Sequence, residues 1–132
     1  MQDIGSLKRM TAVQSLLKAR LEMTISHLAA GLAEIAAENG ELFAMQDRRY
    51  EGGAAFVDAA AILARLNANM RRKTQLENEL AAERQALLQA SRRLDVLESR
   101  ISDCRRERER KAETDIIEEL IAGKMRFGSS LP

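Results

Sequence analysis

The sequence is poor in aromatic side chains, proline and cysteine, and each scarcity narrows the fold. Aromatic residues make up 3% of the 132 residues, with no tryptophan. A compact domain of this length normally packs more aromatic side chains in its core, so the scarcity favours extended helices that share a thin apolar seam. The single proline, Pro132, leaves earlier helices uninterrupted. The single cysteine, Cys104, excludes a disulfide within the chain and agrees with a reducing compartment.

An excess of one charge and a long apolar run are also lacking. The chain has 21 basic and 20 acidic residues, interspersed along its length, for a formal net charge of +1. No global field therefore favours nucleic acid or an anionic membrane. No run of about 18 apolar residues could cross a bilayer, and the first residues lack the order of a signal peptide. We expect a cytoplasmic protein without direct membrane insertion.

The most regular feature present is an apolar repeat between Leu76 and Cys104. Its apolar residues recur every seven positions in two phases, a spacing typical of a coiled-coil helix that pairs with a second helix. One phase contains Leu80, Leu87, Leu94 and Ile101, and the other contains Leu76, Ala90, Leu97 and Cys104.

An earlier repeat predicts a first helix over about residues 7–50, with Ser6 as its N-cap. Its main phase contains Leu7, Leu21, Leu28, Ile35 and Leu42. A companion phase begins at Met10 and Leu17 and is taken over by Ile25 and Leu32. Such a drift indicates a stripe that follows the 3.6-residue period of a helix and not a strict 3.5.

Two glycine-containing stretches compete as turns. Asn39-Gly40 is a common turn signal, but the apolar phase continues from Ile35 to Leu42 across it, which favours an unbroken helix. Gly52-Gly53 interrupts the phase, so the reversal is predicted at residues 51–57.

Asp58 then caps a second helix over about residues 58–125, with Val57 and Ile62 placed for a hydrophobic staple. Residues 1–126 form a single elongated domain in this prediction, and residues 127–132 form a flexible tail.

A tight reversal makes the two helices antiparallel neighbours. Leu42 then lies beside Leu66, Leu28 beside Leu80, Leu21 beside Leu87, and Leu7 beside Ile101. The start of helix one then lies beside Cys104, and helix two continues past it without a partner. The predicted fold class is therefore all-α: a long antiparallel two-helix coiled-coil hairpin whose second helix overhangs at its C-terminal end. The predicted seam consists of Leu7, Leu17, Leu21, Leu28, Ile35, Leu42, Leu66, Leu76, Leu80, Leu87, Leu94, Leu97 and Ile101.

The overhang contains a charged run followed by an apolar face that helix one cannot reach. An unpaired apolar face usually marks a contact site. The predicted partner-binding residues are Arg105, Arg106, Arg108, Arg110, Lys111, Ile116, Ile117, Leu120 and Ile121. Three interpretations of the basic run stay open: a solvated single helix, a docking surface for an acidic protein, and a nucleic-acid site. The last is the weakest, because no aromatic residues interleave and Glu107 and Glu109 dilute the charge.

Residues for chemistry are scarce. The sequence contains no phosphate-binding glycine loop, zinc-ligand spacing or nucleophile motif, and a two-helix coil offers no pocket for converging polar groups. His27 is expected on a solvated flank. Cys104 is expected to fill the seam, with an intermolecular disulfide or a redox role as alternatives. We therefore expect no enzyme, no cofactor and no metal site.

Three stretches resemble a known family. They are SLKRMTAVQSLLKARLE at the start, QLENELAAERQALLQASRRLDVLE in the second helix, and RRERERKAETDIIEELI near the end. With them, the chain resembles the FliJ and YscO/SctO family of type III export proteins over nearly its whole length.

The resemblance implies a non-enzymatic stalk in the central hole of a hexameric export ATPase, directed toward the membrane export gate and so peripheral to the inner membrane. It would assign residues 7–20 and 105–120 to the ATPase side. Two other classes stay open. A structural coiled-coil protein could form a homodimer of hairpins that buries Ile25, Leu32, Ile62 and Leu63. A helical export chaperone would bind a secreted substrate through residues 116–125.

Overall fold

Two α-helices make up the computed structural model, which describes residues 3–50 and 58–129. Helix α1 spans Ile4–Tyr50 and helix α2 spans Ala59–Ser129. The two long helices pack against each other, and the described residues contain no strand, so the predicted all-α helical hairpin is confirmed. The predicted turn at residues 51–57, including Val57 of the proposed staple, and the tail residues 130–132 lie outside the described residues.

Helix α1 begins one turn earlier than the sequence predicts. Its first residue is Ile4, and the Leu7 amide donates a hydrogen bond to the Asp3 carbonyl oxygen at 3.0 Å. Ser6 therefore lies within the first turn, and its prediction as the N-cap was wrong. Ile4 is buried, and tertiary burial of this kind stabilises a helix end more than an isolated capping preference does.

Helix α2 is capped at its start and extends beyond its predicted end. The Ala60 amide donates to Asp58 Oδ1 at 3.0 Å, which is the hydrogen bond expected of an N-cap aspartate. The helix continues to Ser129, beyond its predicted end near residue 125. Residues 127–129, predicted to belong to a tail, are thus helical backbone, because neither proline nor a turn signal stops the helix before them.

The chain groups into two compact units, which are described separately. Unit 1 comprises Met1–Ser15 and Arg92–Pro132, and unit 2 comprises Leu16–Ser91.

Unit 2 pairs α1 and α2 in antiparallel register. Asn69 Nδ2 donates to Asn39 Oδ1 at 2.9 Å, and a Cβ built on Gly31 would lie 3.3 Å from Leu76 Cδ1. Moving backward along α1 therefore moves forward along α2. Helix α1 passes through Asn39-Gly40 without a break, as predicted, and the Asn39 side chain faces the other helix and does not form a turn.

Unit 1 contains a small apolar cluster where α1 begins. Leu7, Leu97 and Ile101 are buried together, and Cys104 packs against them as the expected small filler. The predicted proximity of Leu7 and Ile101 is therefore confirmed. Cys104 is half-buried and has a free thiol.

Burial along α1 follows a strict heptad, with alternating steps of four and three residues. The predicted drift was wrong. The second phase continues along the whole helix, but several of its residues are polar, so the phase is not recognised when only apolar residues are counted. Leu17, predicted in the seam, is 38% exposed, and its neighbour Lys18 is half-buried in its place. Met10 is likewise exposed. The heptad positions that are buried or half-buried are Ile4, Leu7, Thr11, Gln14, Lys18, Leu21, Ile25, Leu28, Leu32, Ile35, Asn39, Leu42 and Gln46. Four residues outside the heptad, Gly5, Ser6, Gly31 and Glu38, are also half-buried.

Helix α2 has the matching pattern. Ile62, at its start, is already buried within the hairpin, whereas the homodimer interpretation expected a second hairpin to bury it. Leu63 is exposed. The reason is the same heptad, which places Ile62 one step before Leu66 in the seam. Lys73 is the one exposed position of this heptad between Ile62 and Cys104. The heptad positions that are buried or half-buried are Ile62, Leu66, Asn69, Leu76, Leu80, Glu83, Leu87, Ala90, Leu94, Leu97, Ile101 and Cys104. Ala86, Ser91 and Gly123, outside the heptad, are also half-buried.

Candidate protein-docking site

The apolar seam of α2 ends at Cys104, and the surface of the helix changes there. Every residue from Arg105 to Ala122 is exposed. Helix α1 begins at Ile4, beside the cluster that Cys104 closes, so it supplies no further turns to cover this part of α2. We call residues 105–121 the docking segment.

The first half of the docking segment alternates basic and acidic side chains. Arg106 Nη2 lies 3.5 Å from Asp103 Oδ1 and 3.5 Å from Ser102 Oγ, which are contacts within one exposed helix. Thr114 Oγ1 donates to the Arg110 carbonyl oxygen at 2.8 Å. Exposed pairs of this kind contribute little stability, so these charges stay available for a partner. The predicted basic residues here are Arg105, Arg106, Arg108, Arg110 and Lys111, and all are exposed.

The second half of the docking segment presents four large apolar side chains to solvent. Ile116, Ile117, Leu120 and Ile121 are between 51% and 62% exposed. Their spacing of one, three and one places them on one side of the helix. A shallow hollow of about 450 Å³ runs beside Ile116, Leu120 and Gly123. Four such side chains in two turns form an apolar face that nothing in the described part of unit 1 covers.

A groove of unit 1 lies between the start of α1 and the middle of α2. The sequence pattern did not predict it. Its volume is about 670 Å³. Apolar side chains from both helices line it, and arginines from both helices stand among them. The lining residues are Ser6, Arg9, Met10, Val13, Gln14, Arg92, Arg93, Val96, Leu97 and Arg100.

A sequence signal for this groove exists. Met10 and Val13 are apolar yet outside the strict heptad of α1, and Val96 is outside that of α2. Because Met10 was predicted to lie in the seam, the apolar residues beside the seam were not recognised as a separate surface. Off-heptad apolar residues on both helices of a hairpin indicate a surface groove.

The described residues of unit 2 contain a smaller groove and an ion pair between the two helices. The groove, about 330 Å³, is lined by Asn39, Phe43, Leu63, Leu66, Asn67, Met70 and Lys73. Nearby, the Arg65 guanidinium donates to both carboxylate oxygens of Glu38, with Nη2 to Oε2 at 3.1 Å. These hydrogen bonds lower the pKa of Glu38 below its ordinary value of 4.5, and they raise the pKa of Arg65.

His27 lies exposed in unit 2, on the flank that the sequence predicts. It borders a shallow hollow on α1 formed by Ala19, Glu22, Met23, Ser26 and Ala30. Among the described residues, no cluster of three or more histidine, cysteine, aspartate or glutamate side chains could hold a metal ion. None of the helices in the described ranges is long and apolar enough to cross a membrane.

Comparisons with protein-family models, curated proteins and solved structures found no match for this chain. The candidate site therefore stands on its own geometry: an exposed alternating-charge run, an adjoining apolar face, and a groove lined by apolar side chains and arginines.

Proposed function

We propose that this protein is a non-enzymatic adaptor that binds another protein through the docking segment. The observation that carries the proposal is the exposure of Ile116, Ile117, Leu120 and Ile121 on one side of a helix. Exposed apolar side chains at helical spacing support docking into a groove of a partner, and the preceding charges would set its orientation and association rate.

The resemblance to type III export stalks makes a hexameric export ATPase the first partner to test. In this proposal residues 7–20 and 105–120 meet the ATPase ring, and the hairpin couples the ring to the membrane export gate from the cytoplasm. The alternating charges of the docking segment support this role, because exposed charges form weak contacts that can change as a ring cycles.

The test is binding to a purified export ATPase, with its hydrolysis rate measured alongside. Arg108→Glu with Arg110→Glu should weaken binding about tenfold or more, because both side chains are exposed and the change reverses the local charge. Arg71→Glu with Arg84→Glu makes the same charge change at exposed positions of unit 2 and should leave binding unchanged. If the unaltered protein neither binds the ATPase nor changes its hydrolysis rate, the ATPase assignment is wrong.

The apolar face also suits a second candidate, a helical export chaperone. A chaperone would use Ile116 to Ile121 to hold an amphipathic helix of a secreted substrate. Ile117→Asp would then abolish substrate binding, whereas Arg108→Glu with Arg110→Glu would have a smaller effect. Loss of ATPase binding in both variants favours the stalk, and loss of substrate binding in the first alone favours the chaperone.

A further inference from the structure

The groove of unit 1 combines an apolar floor with a positively charged rim. Met10, Val13 and Val96 line it and are exposed. Four arginines stand around them, so an occupant with apolar side chains flanked by carboxylates would match both features. The arginines are Arg9, Arg92, Arg93 and Arg100.

One such occupant is present in this chain. The apolar face of the docking segment contains Ile117, Leu120 and Ile121, all exposed. At about 100° per residue, Glu118 and Glu119 lie on the two edges of this face. The segment is thus an amphipathic acidic helix, with the apolar width and the charge that the groove requires.

The groove cannot receive this segment from its own chain. Both lie on α2, which is unbroken between them, so Val96 and Ile117 are roughly 30 Å apart along one helix. Only a second copy of the chain can bring residues 113–121 to the groove. The sequence left a homodimer open only for apolar residues of the hairpin seam, and none of those lines this groove.

The charges between the groove and the apolar face define a register. If two α2 helices lie antiparallel with Val96 opposite Ile117, then Arg100 lies opposite Glu113. In the same register Asp103 lies opposite Arg110, and Arg106 lies opposite Glu107. Within residues 96–106 and within residues 107–117 these positions recur every three or four residues, so each set lies on one side of the helix.

On this side of the helix the register therefore creates three opposite pairs, Arg100–Glu113, Asp103–Arg110 and Arg106–Glu107, against one like pair, Asp95–Glu118. In a parallel arrangement with identical residues side by side, each arginine of one copy would lie beside the same arginine of the other.

We infer that two copies associate through this side of α2, each placing residues 113–121 in the arginine-rimmed groove of the other. The arrangement is two-fold symmetric and closes at two copies, because in the antiparallel register Val96 of each copy lies opposite Ile117 of the other, so both grooves are filled at once. The Arg106–Asp103 contact within each helix is exposed and weak, so exchanging it for contacts between copies costs little.

The association would cover the docking segment. It does not depend on the identity of any partner, but it predicts that a partner bound to residues 113–121 and the second copy exclude each other. The dimer is then the form of the protein without its partner.

Sedimentation equilibrium on the full chain tests the association. The unaltered protein should dimerise, and Ile117→Asp with Leu120→Asp should raise the dissociation constant of the dimer at least about tenfold. Met23→Asp with Leu63→Asp alters equally exposed apolar residues of unit 2 and should dimerise like the unaltered protein. The inference is overturned if the unaltered protein is monomeric at about 0.5 mM, or if the first variant dimerises as well as the control.

A charge exchange distinguishes loss of the contact between copies from loss of helical structure in a variant. Arg100→Glu with Asp103→Arg, and separately Arg110→Asp with Glu113→Arg, should each be monomeric with unchanged circular dichroism. An equimolar mixture restores opposite charges at both contacts and should form a heterodimer. A mixture that stays monomeric would contradict the assigned occupant.

Cysteine cross-linking tests the register. In a Cys104→Ser background, Val96→Cys and Ile117→Cys should form a disulfide when mixed and oxidised, and neither should link to itself. Self-linking of Val96→Cys would instead show a parallel arrangement and overturn the inference.

Discussion

Asn69 donates a hydrogen bond from Nδ2 to Asn39 Oδ1 at 2.9 Å, joining the facing seams of α1 and α2 in unit 2. Asn69 is only 2% exposed, and its amide has exchanged water for side-chain partners on α1, Asn39 and the Glu38 carboxylate. An asparagine pair in a coiled-coil seam costs stability relative to leucine but penalises other registers, which would leave both amides buried and unpaired.

We predict that Asn69→Leu and Asn39→Leu are each destabilising but not additive. Each single change removes the Asn39–Asn69 hydrogen bond and leaves the other amide with one partner fewer, at a cost of about 1–3 kcal/mol. The double change removes both polar groups and should be nearly neutral or stabilising. Urea unfolding of the four proteins measures the coupling free energy, and strictly additive effects would show that the pair does not act as a unit.

Gln14 gives a second prediction. Its Oε1 atom is buried and accepts no hydrogen bond from the described residues, although the residue occupies a heptad position of α1. Gln14→Leu should therefore raise the free energy of unfolding by about 1–2 kcal/mol. Gln85→Leu, at an exposed position of α2, is the matched control and should change it by less than about 0.5 kcal/mol. Equal effects in the two variants would contradict the burial of the Gln14 side chain.

Two glycines within α1 should respond differently to alanine. A Cβ on Gly40 would meet nothing within 4 Å, so Gly40→Ala should stabilise the protein by about 0.5–1 kcal/mol through helix propensity alone. A Cβ on Gly31 would lie 3.3 Å from Leu76 Cδ1 and must displace it, so Gly31→Ala should gain less. Thermal unfolding followed by circular dichroism compares them. A gain at Gly31 equal to that at Gly40 would mean that the two helices are less closely packed there.

The Glu38–Arg65 pair predicts a pH dependence with a definite sign. The pKa of Glu38 is lowered in the folded protein, chiefly by its hydrogen bond from Arg65, so the folded state binds this proton less readily than the unfolded chain. The pair therefore adds stability above the ordinary pKa of 4.5 and loses it as the pH falls through the lowered pKa. The Arg65 side chain is 55% exposed and the Glu38 side chain 32% exposed, so water screens the pair and the effect is small.

The measurement is the melting temperature of Glu38→Gln against the unaltered protein. The variant should melt lower at about pH 7, and the difference should vanish at about pH 2. Arg65→Gln removes the same interaction from the other side and should reproduce the result. A difference that persists at low pH would point to packing and not to the carboxylate charge.

Much of the fold was predictable because seven-residue periodicity is a property of the sequence itself. The phase of Leu80, Leu87, Leu94 and Ile101 predicted the buried side of α2, and the proximity of Leu7 and Ile101 followed from a tight reversal. The start of α1 was not predictable in this way, because burial of Ile4 and not the capping preference of Ser6 determines where the helix begins.

The candidate site was predictable in part. The exposed residues of the docking segment follow from the loss of the apolar repeat after Cys104. The groove of unit 1 does not, because it requires Met10 and Val13 of α1 to lie beside Val96 of α2. That juxtaposition depends on which side of each helix faces the other. Met10 was predicted to face α2, so the predicted α1 was turned about its axis relative to the structure.

By itself, the sequence determined that this protein is two helices in an antiparallel hairpin and that its apolar seam ends at Cys104. Periodicity, glycine placement and helix length are local properties, and they suffice for those conclusions. Only the tertiary structure decided that polar residues such as Lys18 and Asn39 complete the seam and that Leu17 does not belong to it. The physical reason is that burial is shared between two helices: a polar side chain is accepted in the seam when the opposite helix pairs it or leaves its charged end in water.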